Sequence, residues 1–247
     1  MTLKKFFEEN RAAALAFSGG VDSSYLLYAG VSEGCDICAY YVKTEFQPQF
    51  EFDDAVRFAS EIGAKLKVIE MSALTDDHVR KNAPDRCYHC KKRIFSAISR
   101  EATRDGYSLI IDGTNASDDA DDRPGMRALD ELGVRSPLRE CGMMKDEIRE
   151  LSRIAGLFTW SKPAYACLAT RTATGTELTA EALETTERAE GELEAMGFRD
   201  FRIRTVGKSA KIQVKKEQLE KILVCRELIL EKLAPYYDGV TLDLEVR

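Results

Sequence analysis

Apolar residues recur along this chain at spacings that switch between the strand and helix periods, and these switches mark out its elements. Met1 to Asn10 reads as a short amphipathic helix leading into an apolar run, Ala12 to Phe17. The run stops at Ser18-Gly19-Gly20, and a helix-compatible segment follows from Asp22 through Leu27, so the order is buried strand, tight turn, helix. Asp36 to Thr44 is a second β-rich run, and Phe50 to Ile62 carries a helical stripe (Phe52, Ala55, Val56, Ala59, Ile62) closed by Gly63. Lys65 to Met71 is the third strand. Strands and helices alternating at such short spacing select an open parallel sheet with helices on both faces. Further on, a helix is expected over Arg93 to Arg104, burying Ile94, Phe95 and Ile98, and a fourth strand over Tyr107 to Ile111. A short helix (Ala128 to Leu132), a final core strand (Arg135 to Leu138) and an amphipathic helix (Lys145 to Gly156) complete this part.

Trp160 to Arg171 has neither period and reads as a long ordered loop. Thr172 to Thr179 is a small-polar linker with a helix start signal at Thr179. After it come a helix (Glu181 to Gly197), two β runs (Phe201 to Val206, Lys211 to Val214), a helix (Glu217 to Leu233) and a closing strand (Val240 to Val246). The expected organisation is an α/β domain over residues 1–172 and a small α+β domain over 178–247.

The turn after the first strand carries the clearest chemistry. Gly19 and Gly20 lack Cβ atoms and let the backbone approach an anion, Ser18, Ser23 and Ser24 add hydroxyls, and the amides of the helix start point the same way. Ligands of open α/β sheets sit off the carboxyl ends of the strands, which brings in Val42 to Glu45 and the segment Asp112-Gly113-Thr114-Asn115. Carboxylates between Asp118 and Asp122 read as magnesium ligands, as partners of Arg123 and Arg127, or as a solvated acidic loop. Arg202 and Arg204 fall two apart on one strand and share a face, suited to a phosphate or carboxylate or simply to solvent.

Composition narrows the function. A net charge of −6 and a pI near 5.3 speak against an extended nucleic-acid surface and for small substrates. No apolar run approaches the ~20 residues of a membrane span, and the opening residues lack a signal-peptide core, so a cytoplasmic protein is expected. Seven cysteines then read as thiols, ligands or catalysts rather than disulfides. Cys35 and Cys38 read as structural, since Cys38 lies inside a strand. Cys87 and Cys90 sit at the start of the helix expected from Arg93, where a helix N-terminus favours thiolates; they could share a metal or cluster edge, or be thiols in a lid loop. Cys167, between Lys162 and Arg171, is a candidate nucleophile or ligand.

The string SGGVDSS resembles the SGGxDS loop of the PP-loop ATP pyrophosphatases, which implies adenylation of a substrate with release of pyrophosphate; no lysine follows the glycines, as a Walker loop would require. Together with CYHCKK, DGTNASDDADDRPG, RSPL, KPAYACLATR and FRIR, it resembles the LarE family, pyridinium-3,5-biscarboxylic acid mononucleotide sulfurtransferases, along nearly the whole chain. That resemblance implies ATP- and Mg2+-dependent adenylation of a carboxylate of a pyridinium mononucleotide, then its replacement by a thiocarboxylate, in nickel-pincer nucleotide synthesis. Ser18, Gly19, Gly20, Asp22, Ser23 and Ser24 would hold the phosphates, with Thr44, Gly113, Thr114 and Asn115 near the nucleoside. Arg202 and Arg204 would take the mononucleotide phosphate, with Arg135 and Arg171 as further anion partners. One branch of the family sacrifices the sulfur of the cysteine matched by Cys167; the other binds a [4Fe-4S] cluster on three thiols, which Cys87, Cys90 and Cys167 match. The cluster branch is favoured, and a homo-oligomer, hexameric in the family, is implied. A PP-loop tRNA thiolase, an amide-forming synthetase and a zinc-bearing nucleotide regulator are the rival functions.

Overall fold

A computed structural model describes residues 1–118 and 123–245 of the chain. In chain order its elements are α1 (Leu3–Glu9), β1 (Ala12–Ala16), α2 (Val21–Ser32), β2 (Asp36–Lys43), α3 (Gln49–Glu61), β3 (Lys65–Glu70), α4 (Asp77–Arg80), α5 (Arg86–Arg104), β4 (Ile110–Asp112), α6 (Arg123–Glu131), α7 (Pro137–Glu140) and α8 (Lys145–Ile154). There follow α9 (Ala180–Ala195), β5 (Arg202–Val206), β6 (Ser209–Gln213), α10 (Leu219–Val224), α11 (Arg226–Leu233) and β7 (Gly239–Leu242). These form two compact units, Met1–Ala73 with Asp85–Lys162, and Leu74–Pro84 with Pro163–Arg247.

The first unit is built on a parallel sheet in the order β3-β2-β1-β4. Alternate side chains of the central strands go to opposite faces. Ala13, Leu15, Ile37, Ala39 and Tyr41 pack with Phe6, Phe7, Leu26, Phe58 and Ile148 on one face, and Ala14, Cys38, Tyr40 and Val42 with Phe95, Ile98, Ala102 and Leu129 on the other. Burial of each large side chain contributes about 1.5–3 kcal/mol. Because the chain runs outward from β1 to β3 and then returns to add β4 on the other side, the strand order reverses between β1 and β4, the position at which open α/β sheets bind ligands.

The order of the periodic segments agrees with the sequence reading, but several bounds move: β4 covers only Ile110–Asp112, α6 starts at Arg123 instead of Ala128, and β7 ends at Leu242. Helix α5 begins at Arg86 instead of Arg93, so Cys87 and Cys90 lie within its opening turns and not in a loop before it. Those turns carry no apolar stripe: most of their residues are half-buried, Cys87 and Lys92 are exposed, and the fully buried side chains begin at Phe95. The core strand expected over Arg135 to Leu138 reduces to one bridge, Ile111 to Arg135, because Pro137 takes a first-turn position of α7. The expected helix from Glu217 to Leu233 breaks at Cys225 into α10 and α11.

The second unit has a three-stranded sheet, β5-β6-β7, with β5 antiparallel and β7 parallel to β6. Ala189 and Leu193 of α9 pack with Phe198, Ile203, Ile212, Ile222, Ile229 and Leu233. The small-polar segment 172–179, expected as a linker, lies inside this unit. Buried Asn82 donates from Nδ2 to the carbonyls of Thr172 (3.4 Å) and Ala173 (2.9 Å), and its own carbonyl accepts Gly175 N (2.8 Å). Those bonds draw residues 74–84, remote in sequence, into the same body. The helix start expected at Thr179 is present: its hydroxyl accepts Ala182 N at 3.1 Å.

Candidate active site

The turn between β1 and α2 has the geometry of a phosphate cradle. Gly19 has φ +74°, a left-handed conformation, and a Cβ there would sit 3.1 Å from Ala55 Cβ and 3.3 Å from Glu51 O. Ser23 Oγ donates to Gly20 O (3.2 Å), accepts Ser18 N (3.3 Å) and lies 3.0 Å from Ser18 Oγ, so two of the three serines close the turn. Gly20 caps α2 without a side-chain hydrogen bond, leaving the first amides of the helix directed outward. The tip of β4 comes closer still: a Cβ on Gly113 would lie 2.8 Å from Ser23 N and 3.0 Å from its Cα. Only glycine fits at that contact.

Three buried polar atoms around this turn have no hydrogen-bond partner among the described residues: Asp22 Oδ1, Ser24 Oγ and Asn115 Nδ2. Buried polar groups are normally paired, so one carboxylate oxygen, one hydroxyl and one amide donor on the two segments that meet at Gly113 and Ser23 suit a polar ligand. Asn115 is held by its own Oδ1, which accepts Ser117 N at 2.7 Å. Thr114 turns back on Asp112, donating from Oγ1 at 2.5 Å, and Ser136 Oγ donates to the same carboxylate at 2.6 Å. Burial pushes the Asp112 carboxyl above its ordinary range, against the pull of those hydrogen bonds. Thr44, at the end of β2, bonds Gln47 Oε1 through Oγ1 (2.8 Å) and N (3.0 Å), and so shapes the next strand tip. The carboxylates expected to hold magnesium lie, apart from Asp118, outside the described residues.

Two lysines complete the site: the sequence reading passes over Lys145 and names Lys162 only as a neighbour of Cys167. Lys145, first residue of α8, pairs with Asp22. Lys162 Nζ donates to Asp54 Oδ2 (2.7 Å), Glu51 Oε2 (3.2 Å) and the Gly19 carbonyl (3.4 Å), bracing the glycine turn. The faint signal was the missing lysine in SGGVDSS, which leaves the phosphate charge to be met from elsewhere.

The arginines part company. Arg171 is 1% exposed; its Nε and Nη2 donate to Glu190 at 2.8 and 3.0 Å, and Nη1 donates to Ala166 O at 2.8 Å. That burial does not fit the anion-binding role expected for it. Arg135 is engaged by Glu140 (Nε to Oε1, 3.1 Å) and lies over the Phe6 ring (4.6 Å). Arg202 and Arg204 share a face of β5, and Arg204 donates from Nε to Gln213 (2.6 Å) and from Nη1 to Thr170 O (2.8 Å).

All seven cysteines are thiols. Burial raises the pKa of Cys35 and Cys38, in keeping with a structural role. Cys87 and Cys90 are three residues apart on α5, which puts both sulfurs on one face, with Cys87 exposed and Cys90 partly so. Cys167 belongs to the second unit and is partly exposed. Its carbonyl accepts Thr170 N (3.0 Å) and Oγ1 (2.8 Å), so Arg171, Thr170 and Arg204 together frame its loop.

A parallel sheet with helices on both faces and a glycine cradle at the strand-order reversal defines a PP-loop α/β enzyme, the ATP-using class. No protein-family model matches the chain. Among individual proteins it is 34% identical to an uncharacterized protein of Synechocystis, over 98% of this chain and 92% of that one. It is 32% identical to the pyridinium-3,5-bisthiocarboxylic acid mononucleotide synthase of Lactiplantibacillus plantarum, over 98% of this chain and 89% of the relative. The tRNA-specific 2-thiouridylase MnmA of Pseudothermotoga lettingae matches at 27% over 60% of this chain and 53% of its own length. The chain belongs to the LarE family, that of the pyridinium-3,5-bisthiocarboxylic acid mononucleotide synthases. No helix among the described residues is long and apolar enough to cross a membrane.

Proposed function

We propose that this enzyme transfers sulfur to a carboxylate of a pyridinium mononucleotide, activated by ATP, in the synthesis of a nickel-pincer nucleotide. The observation that carries the reading is the cradle: a glycine turn closed by Ser18 and Ser23, with Asp22 Oδ1, Ser24 Oγ and Asn115 Nδ2 buried and unpartnered beside it. Ser18, Gly19, Gly20, Asp22, Ser23 and Ser24 would hold the phosphates of magnesium-bound ATP, and Thr44, Gly113, Thr114 and Asn115 its nucleoside. A substrate carboxylate oxygen attacks the α-phosphorus, the bond to the β-phosphate oxygen breaks, and pyrophosphate leaves with the electron pair. A sulfur nucleophile then attacks the acyl carbon, the bond to AMP breaks, and a thiocarboxylate remains. Arg202 and Arg204 take the mononucleotide phosphate, so the first unit binds ATP and the second substrate.

Cys87, Cys90 and Cys167 suit a [4Fe-4S] cluster by donor type and number, with two of them presented from one helix face. Bound on three thiolates, the cluster would supply an iron position open to sulfide. In the other branch Cys167 gives up its own sulfur: the thioester formed at Sγ loses the Cα proton, the Cβ–Sγ bond breaks toward sulfur, and dehydroalanine is left. The enzyme works as a cytoplasmic homo-oligomer.

Protein prepared without oxygen, assayed for iron, sulfide and pyrophosphate release, tests this reading. Wild type is expected to carry iron and to release pyrophosphate only with the biscarboxylated pyridinium mononucleotide, and Cys87→Ala, Cys90→Ala and Cys167→Ala to lose the iron. Pyrophosphate release indifferent to that substrate removes the proposed reaction. Iron-free wild type in which turnover leaves Cys167 lighter by the elements of hydrogen sulfide selects the sacrificial branch. The partial 2-thiouridylase match keeps RNA as a rival substrate, opposed by the net charge of −6; retention on immobilised tRNA at physiological salt would restore it.

A further inference from the structure

The departing pyrophosphate carries more negative charge than helix amides and hydroxyls alone balance, and SGGVDSS contains no lysine. We propose that Lys145 supplies that charge, with Asp22 holding it in readiness while no phosphate is bound; the inference rests on the ATP-site reading above and deepens it. Lys145 comes from 123 residues beyond Asp22, and its side chain and that of Asp22 are only 30% and 19% exposed. The start of α8 is tied to the segment after Asn115: Ala116 N donates to Met143 O at 2.9 Å, and Lys145 N to Ser117 Oγ at 2.8 Å. The lysine therefore stands between the first turn of α2 and the tip of β4.

The Asp22 carboxylate is half satisfied. One oxygen takes the ammonium, while Oδ1 is buried and has no partner among the described residues. A partly buried ion pair with an unsatisfied oxygen is costly to maintain, and such a pair exchanges readily when a better-charged ligand arrives. Rotation about the four-carbon stem carries the ammonium from Asp22 to a neighbouring phosphate without moving backbone. Lys162 is less suited. Its three donors already meet Gly19 O, Glu51 and Asp54, so it fixes the turn and leaves the phosphate charge to Lys145.

Equilibrium binding of inorganic pyrophosphate and, separately, of AMP to Lys145→Met, Lys145→Arg and the double variant Lys145→Met/Asp22→Asn tests this. Lys145→Met is expected to weaken pyrophosphate roughly 10- to 100-fold, the worth of a charged hydrogen bond, with AMP affinity unchanged. Lys145→Arg should keep most pyrophosphate affinity, and the double variant should remain weak. Wild-type pyrophosphate affinity in Lys145→Met overturns the proposal. So does an equal loss of AMP, which means a structural role, and so does recovery in the double variant, which means that the exposed Asp22 charge alone repelled the ligand. Wild type that binds neither pyrophosphate nor AMP removes the ATP site itself and not merely this lysine.

Discussion

Replacing Glu190 by alanine is expected to destabilise the second unit by about 3–5 kcal/mol, the effect of leaving one member of a buried ion pair uncompensated. Glu190 is 6% exposed and accepts four hydrogen bonds: from Arg171 Nε (2.8 Å) and Ile203 N (2.9 Å) at Oε1, and from Arg171 Nη2 (3.0 Å) and the Tyr165 hydroxyl (2.7 Å) at Oε2. One carboxylate thereby joins α9, β5, the turn at Arg171 and the loop before Cys167. Burial alone would lower the Arg171 pKa, but hydrogen bonding and the charge of Glu190 outweigh it and hold the guanidinium above its ordinary value. Burial pushes the Tyr165 hydroxyl up as well, and the Glu190 charge adds to the shift. Urea unfolding followed by hydrogen exchange at Leu193 and Ile203 measures the loss. A Glu190→Leu/Arg171→Met double variant should regain only part of it, since it removes the uncompensated charge but takes from Ile203 N and the Tyr165 hydroxyl the acceptor they have in Glu190. A Glu190→Ala protein as stable as wild type would show that the pair holds nothing together. Order in the Cys167 loop should fall with stability, because Arg171 and Thr170 frame that loop through Ala166 O and Cys167 O.

Gly113→Ala should reduce pyrophosphate release by about 100-fold, the loss that follows when reacting groups are displaced by roughly 1 Å. Its Cβ would meet backbone: Ser23 N at 2.8 Å and Ser23 Cα at 3.0 Å, neither of which can rotate away. Relief comes only by parting the β4 tip from the first turn of α2, which separates Asn115 from the cradle. Gly191→Ala is the control. That glycine lies within α9 with nothing within 4 Å of an added Cβ, so alanine there should be neutral or stabilising by up to about 1 kcal/mol. Equal activity in the two variants would mean that the contact between β4 and α2 does not shape the site.

Periodicity and turn chemistry in the sequence determined the parallel sheet with its flanking helices, the glycine turn and the small α+β unit, because burial patterns and Gly positions are written locally. Tertiary structure alone decided which charged groups meet. It drew Lys145 to Asp22 across 123 residues, set Gly113 against Ser23, turned Arg171 inward to Glu190 and tied residues 74–84 to the second unit through Asn82. An arginine that binds a ligand and one that holds a fold read alike along a chain. What separates them is the partner and the water around the guanidinium, and both are properties of the packed molecule.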